Sequence, residues 1–197
     1  MANTNLGKTR PRCFIVYGWS EGPWQSRKMR HLLEERGFEV TEQAVDADVI
    51  IAHSLGCYLV PPSAKDKLII LIGLPYWPGR PVIVSIFLNA LENLKSSWRD
   101  GSWWLNKLAH NLWYILVKPS STYYAVTRRH LSYLPRAHAS QRVVLVRNAD
   151  DIFCHPDIAQ MLPDKLDYEY IDMPEKLHED CWLNPTPYIK LAEKYYG

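Results

Sequence analysis

Short apolar runs alternate with amphipathic stretches along most of the chain, a pattern typical of parallel βαβ units. The apolar runs predict strands at Cys13–Tyr17, Phe38–Thr41, Asp48–His53, Lys67–Ile72, Arg142–Arg147 and Tyr168–Asp172. The middle strands are nearly continuous in apolar residues, and strands of this kind are covered by helices on both faces. The pattern therefore predicts a three-layer α/β fold with a mainly parallel sheet of about six strands.

Amphipathic stretches between the strands predict the covering helices. Trp24–Arg36 has apolar residues at helical spacing, and Gly37 ends it. A last helix is predicted at Tyr188–Tyr196. Because few residues separate the second strand from Asp48, any helix in that connection is expected to be short or missing.

One long segment interrupts the alternation. Residues 74–140 contain no convincing strand and are rich in tryptophan and tyrosine, which predicts a helical cap inserted into a single domain of residues 13–197. Within the cap, Val82–Leu94 and Trp103–Val117 have broad apolar faces. Trp103–Val117 is too short and too interrupted by polar residues to span a membrane. We expect it to pack on the core or, as an alternative, to lie on a membrane surface.

Composition narrows the functional classes. The 197 residues are 47% apolar and 22% charged, as in an ordinary globular domain. A net charge of +2 with no basic stripe argues against a nucleic-acid partner. The four cysteines lie far apart without a CxxC spacing, which favours reduced thiols over a zinc site or a disulfide framework. Residues 1–12 are expected to form a flexible polar tail without the apolar segment of a secretory signal, and we expect a cytoplasmic protein.

The strand VIIAH runs directly into a serine, Ser54, within the stretch VIIAHSLGC. A sharp turn from strand to helix projects its central side chain above the sheet, and it requires small residues two positions away on either side. Ala52 and Gly56 occupy those positions, so the turn predicts a nucleophilic serine. The alternative is a serine that only caps the following helix.

A serine nucleophile needs a histidine base, and the histidine needs a carboxylate that holds its tautomer. In this architecture the acid follows a late strand and the base follows the last one. Asp150 and Asp151 follow the fifth predicted strand, and His178 follows the sixth. Either aspartate could instead be a turn former, so the pattern leaves the choice between them open. His155 is an alternative base, whereas His53 is expected to be packed.

These motifs resemble those of the α/β-hydrolases, and the chain is similar over about residues 13–196 to small serine hydrolases of the retinoblastoma-binding protein and YdeN type. In that family an HSxG turn carries the nucleophile, which matches Ser54. A DDPF-like turn supplies the acid at its second aspartate, which matches Asp151, although Ile152 replaces the proline here. The base lies in a turn after the last strand, which matches His178.

The resemblance implies a serine hydrolase that cleaves ester, thioester or amide bonds through an acyl-enzyme, without a metal or an organic cofactor. The oxyanion formed during acyl transfer needs two N–H donors. One is expected from the backbone of Leu55, directly after the nucleophile, and the resemblance places the second on the backbone of Trp19.

The cap aromatics Tyr76, Trp77 and Trp104 are expected to line a pocket for a small-molecule or acylated substrate of apolar character. They could equally form the core of the cap itself. Two other functions stay open, a binding protein on a hydrolase fold and an acyltransferase. The pattern leaves the oligomeric state undecided.

Overall fold

The computed structural model describes residues 10–61, 67–75, 101–120, 142–161 and 168–196. Its strands are β1 (Arg12–Val16), β2 (Glu39–Thr41), β3 (Val49–His53), β4 (Leu68–Ile72), β5 (Arg142–Asn148) and β6 (Tyr168–Met173). They form one six-stranded sheet in the order β2-β1-β3-β4-β5-β6, and every neighbouring pair is parallel. The predicted α/β class, strand positions and parallel sense are confirmed. Every strand end lies within one residue of its predicted position.

The described helices pack around this sheet. They are α1 (Arg27–Glu35), α2 (Gly101–Val117), α3 (Ile158–Met161), α4 (Asp180–Leu183) and α5 (Thr186–Tyr196), with 3-10 helices at Ala44–Asp46 and Ser54–Tyr58. The connection between β2 and β3 thus contains only one short 3-10 helix, as its length predicted.

The core lies on both faces of the sheet because successive side chains of a strand point to opposite sides. Ile51 of β3 packs in the cluster that contains Met29 of α1 and Ile189 of α5. Its neighbour Ile50 packs in the second cluster, together with Ile158 of α3. All five residues of β3 and all five of β4 are buried, as expected for strands covered on both faces.

The parallel register brings the carboxyl ends of the strands to one edge of the sheet. Ile15, Ile51, Ile70 and Val144 lie in one row across β1, β3, β4 and β5. The residues that follow β1, β3, β5 and β6 are therefore neighbours in space although they are distant in sequence. This edge is where an open α/β sheet usually binds its ligand.

Helix α2 confirms the helix predicted at Trp103–Val117, but its buried side differs from the apolar face expected there. Among its described side chains, Lys107 and Asn111 are buried, whereas Trp113 and Leu116 are exposed. Polar residues face inward because Lys107 and Asn111 have polar partners in the loops at the carboxyl edge of the sheet.

Several predictions lie outside the described residues: the helix at Val82–Leu94, most of the tail at 1–12, and most of the cap at 74–140. No helix in the part of the chain that the structure describes is long and apolar enough to cross a membrane. All four cysteines are buried as free thiols.

Candidate active site

The turn after β3 has the strained geometry that the sequence predicts. Ser54 has a φ of +54°, in the left-handed region that side chains other than glycine rarely adopt. A Cβ at Gly56 would lie 2.5 Å from the carbonyl oxygen of Val16 and 2.7 Å from that of Tyr17, so only glycine fits there. The Ser54 hydroxyl contacts a histidine across the cleft, not the backbone of its own helix, which rules against the simple capping role.

The structure brings Ser54, His178 and Asp151 together at the carboxyl edge of the sheet. His178 Nε2 lies 2.9 Å from Ser54 Oγ, and His178 Nδ1 lies 2.6 Å from Asp151 Oδ2. Asp151 and His178 are buried, and Ser54 is half-buried. Since a carboxylate accepts hydrogen bonds, Nδ1 donates to Asp151, and Nε2 is left to accept the Ser54 proton.

The surroundings of Asp151 favour its ionised form. Burial by itself would raise the pKa of Asp151, but the electrostatic attraction and hydrogen bond of His178 outweigh it, and the pKa lies below its usual value. The backbone N–H of Phe153 donates to Asp151 at 2.8 Å, and the thiol of Cys154 donates at 3.1 Å. Asp150, the alternative acid, is exposed.

Hydrogen bonds from β5 and α5 hold the backbone of the loop that carries His178. Buried Asn148, at the end of β5, donates its side-chain amide to the carbonyl of Leu177 at 2.8 Å. The hydroxyl of Tyr188 in α5 donates to Asn148 Oδ1 at 2.7 Å. These contacts fix the backbone directly before the base. His155, the alternative base, accepts instead from the backbone N–H of Asp157 at 3.1 Å.

The loop after β1 lies against the nucleophile. A Cβ at Gly18 would be 2.9 Å from Ser54 Cβ, so the loop backbone approaches the serine closely. The N–H of Gly18 donates to Glu21 Oε2 at 2.6 Å. The ring of Trp19, the next residue, packs edge-on against Tyr114 of α2 with centroids 5.7 Å apart.

Sequence reasoning missed a second charged group behind the base. The fully buried ring of His53 lies 2.6 Å from Glu21 Oε1 through Nδ1, and 2.8 Å from the main-chain oxygen of His178 through Nε2. Burial would raise the pKa of Glu21, but the charge and hydrogen bond of His53, the charge of Lys107 and the N–H of Gly18 lower it to about 2. No local pattern marks this pair because its members are 32 residues apart.

Helix α2 is attached to this region by its buried polar residues. Lys107 forms an ion pair with Glu179, the residue after the base. Asn111 accepts a hydrogen bond from Ser20, in the loop after β1. These contacts account for the inward polar face of α2.

One group of the described residues has the spacing of metal ligands: the ligand atoms of Glu21, His53 and Glu179 all lie within 4.8 Å of one another. Both ring nitrogens of His53 are already hydrogen-bonded, however, and Lys107 pairs with Glu179. The charges in this group are thus balanced by protein cations, and a metal ion does not fit its chemistry.

The predicted pocket residues are not described. Tyr76 and Trp77 lie outside the described residues, and Trp104 lies in α2 but its side chain is not among those described. Their role in a pocket stays a prediction.

Solved structures share this architecture. An enol-lactonase from Burkholderia xenovorans LB400 has a TM-score of 0.65 at 10% identity, and the match covers 95% of this chain and 92% of that one. A peroxisomal alpha-beta-hydrolase, Lpx1 from Saccharomyces cerevisiae, has a TM-score of 0.58 at 13% identity over 98% of this chain and 78% of that one. The chain has an α/β-hydrolase fold.

A thermophilic esterase from Thermogutta terrifontis is similar as well, with a TM-score of 0.60 at 14% identity over 95% of this chain and 89% of that one. No family model matches the chain, and no curated protein sequence matches it. Structural likeness at identities this low shows the fold alone.

Proposed function

We propose that the protein is a serine hydrolase that cleaves carboxylic ester, thioester or amide bonds, with Ser54 as nucleophile, His178 as general base and Asp151 as the acid that orients it. The observation that supports this most is the continuous hydrogen-bonded chain from Ser54 Oγ through His178 to Asp151. A serine hydroxyl is a weak nucleophile at neutral pH unless such a histidine removes its proton.

The reaction proceeds in two steps in this proposal. His178 takes the proton of Ser54 as the hydroxyl attacks the carbonyl carbon, and it then gives that proton to the leaving group. Water, activated by the same histidine, attacks the acyl-enzyme and releases the acid. Asp151 stabilises the imidazolium that forms in each step. This chemistry needs no metal or organic cofactor.

The oxyanion of the tetrahedral intermediate is assigned to the backbone N–H groups of Leu55 and Trp19. Leu55 directly follows the nucleophile, and the close approach of Gly18 to Ser54 places the Trp19 loop beside it. The N–H of Gly18 donates to Glu21 and is therefore not assigned to the oxyanion. One oxyanion donor typically stabilises the transition state by about 2.7–4 kcal/mol.

Three weaker observations support a substrate class. Two structural neighbours are an enol-lactonase and an esterase. The aromatic cap residues Tyr76, Trp77 and Trp104 favour an apolar acyl group, and the motifs resemble those of small serine hydrolases of the retinoblastoma-binding protein and YdeN type. We therefore propose a small-molecule or acylated substrate with an apolar acyl chain.

The test is a fluorophosphonate probe combined with p-nitrophenyl ester hydrolysis. Wild type should be labelled on Ser54 and should hydrolyse the ester, whereas Ser54→Ala should lose both activities and keep its thermal stability. Ser26→Ala is the matched control, because it removes a buried serine that contacts Tyr17 and lies outside the site. Labelling that persists in Ser54→Ala would reject the nucleophile.

Two further outcomes separate the alternatives. Absence of both labelling and turnover in folded wild type would favour a binding protein on this fold, and ester products formed with added alcohol would favour an acyltransferase. For the substrate class, KM should fall about fourfold per added methylene from acetate upward, since each buried methylene contributes about 0.8 kcal/mol. Equal KM values across the series would reject an apolar pocket.

A further inference from the structure

His53, the last residue of β3, is buried directly behind the proposed base, and its two ring nitrogens have different partners. Nδ1 faces Glu21 Oε1 at 2.6 Å, and Nε2 faces the main-chain carbonyl oxygen of His178 at 2.8 Å. The rings of His53 and His178 are 4.7 Å apart between centroids. His53 is also the neighbour of Ser54 in the chain.

The hydrogen-bond chemistry defines the protonation state of this ring. A carbonyl oxygen can only accept, so His53 Nε2 must carry a hydrogen. Both oxygens of Glu21 are surrounded by donors as well: Oε2 accepts from Gly18 N at 2.6 Å, and Oε1 accepts from the indole N–H of Trp182 at 3.2 Å. A carboxyl group in such surroundings is ionised, so His53 Nδ1 must donate too. Both nitrogens then carry hydrogens, and the ring is an imidazolium.

The charges around the ring agree with this state. Among the described residues, the charged or titratable groups that act on His53 are Glu21 in the loop after β1 and Glu179 and His178 in the loop after β6. Lys107 of α2 acts on the two carboxylates: it pairs with Glu179 and lowers the pKa of Glu21. With His53 protonated, His53 pairs with Glu21 as Lys107 pairs with Glu179. A neutral His53 would leave the buried carboxylate of Glu21 without this paired cation, which is costly. Burial opposes the charge on His53, but Glu21, Glu179 and the His178 carbonyl outweigh it and raise the pKa of His53.

We propose that His53 is a positively charged positioning residue. It connects the loop that carries His178 (the base loop) and the loop of Gly18 and Glu21 (the oxyanion loop) to the turn at Ser54. Its Nε2–H holds the main chain of His178, and its Nδ1–H holds Glu21, which in turn holds Gly18 beside Ser54. The proposal rests on the proposed function in taking His178 as the base. It assigns His53 no contact with the substrate.

The charge itself is tested first, without any catalytic assay. In ¹⁵N-histidine-labelled wild type, both ring nitrogens of His53 should show the imidazolium signature at pH 7, with the signals assigned by their loss in His53→Gln. His31→Gln, which removes an exposed histidine of α1, is the control and should leave these signals in place. A neutral tautomer of His53 at pH 7 would overturn the proposal.

The positioning role is tested with two variants. His53→Phe keeps the approximate size of the ring but removes both donors, and it should lower kcat and the fluorophosphonate labelling rate about 100-fold, as expected for a small misplacement of the base. KM should change little because no substrate contact is lost. His53→Gln can still donate one N–H to the His178 carbonyl and should recover part of the rate, whereas a merely structural role would give no such split between kcat and KM.

A spectroscopic readout separates this proposal from the proposed function. The Nδ1–H proton of His178, hydrogen-bonded to Asp151, should give a downfield resonance in wild type and in Ser54→Ala, and it should be lost in His53→Phe. If wild type is inactive but this pattern is seen, the function is wrong and the positioning role stands. If folded His53→Phe keeps wild-type kcat or keeps this resonance, the positioning role is wrong. Should His53→Phe not fold, a His53→Gln variant with wild-type kcat would overturn the positioning role instead.

Discussion

A methyl group added at Gly56 should disrupt both the nucleophile turn and the strand of the sheet on which that turn packs. The Cβ of Gly56→Ala would lie 2.5 Å from Val16 O, 2.7 Å from Tyr17 O and 2.8 Å from Tyr17 C. All three atoms are backbone, so no side chain can rotate away. Reaching even a 3.0 Å separation from Val16 O would need a shift of 0.5 Å, the difference between 3.0 Å and 2.5 Å.

That shift would disturb the middle of the sheet. Val16 pairs with Ala52 of β3, so β1 cannot yield without loss of its register. Overpacking typically costs about 1–3 kcal/mol, and a backbone clash belongs at the upper end, about 3 kcal/mol. For a chain of this size the melting temperature should fall by about 6–12 °C. Because Tyr17 leads into the loop of Trp19, kcat of the folded variant should fall about 100-fold.

Urea unfolding and ester hydrolysis, measured on matched alanine variants, check this reasoning. Gly22→Ala would place its Cβ 3.8 Å from Trp24, an ordinary contact, and should change stability by less than about 0.5 kcal/mol. Gly37→Ala meets nothing within 4 Å but has a φ of +86°, so strain alone should cost about 1–2 kcal/mol. If Gly56→Ala is as stable and as active as Gly22→Ala, the inference that the turn packs too closely on β1 to accept a Cβ is wrong.

The remaining predictions concern the acid and the buried carboxylate. Asp151→Asn should lower kcat about 10⁴-fold in the ester assay because it favours the wrong tautomer of the base, and exposed Asp150→Asn should lower it less than about tenfold; the reverse order would contradict the assignment of the acid. The pKa of Glu21 is lowered from 4.5 to about 2, so its contribution to stability is present above pH 4.5 and is lost as the pH falls toward 2. Glu21→Gln should therefore flatten the decline of the free energy of unfolding over that range in urea titrations, and an unchanged slope would mean that Glu21 is not ionised by its neighbours.

Some features could be predicted because short windows of sequence carry them. Strand positions follow from runs such as VIIAH and LIILI, since two-sided burial requires continuous apolar residues. The turn at Ser54 was predictable for a similar reason. The strained backbone of Ser54 and the close packing at Gly56 require small residues, and Ala52 and Gly56 lie within five residues of sequence. Strand order then placed Asp151 and His178 at the same edge as Ser54.

Other features depended on contacts between distant segments. Asp150 and Asp151 are equivalent in local pattern, and only the packing of the base loop makes Asp151 the residue that meets His178. Helix α2 was predicted from its apolar residues, but the described part buries Lys107 because Glu179, 72 residues away, is its partner.

The sequence by itself therefore determined the layers of the fold, the parallel sheet and the position of the strained serine, because periodicity and backbone strain act over a few neighbouring residues. Only the tertiary structure decided which aspartate meets the base and which buried charges pair, including Glu21 with His53. The stability of a buried charge depends on the donors and opposite charges that surround it, and those come from loops that only the assembled sheet brings together.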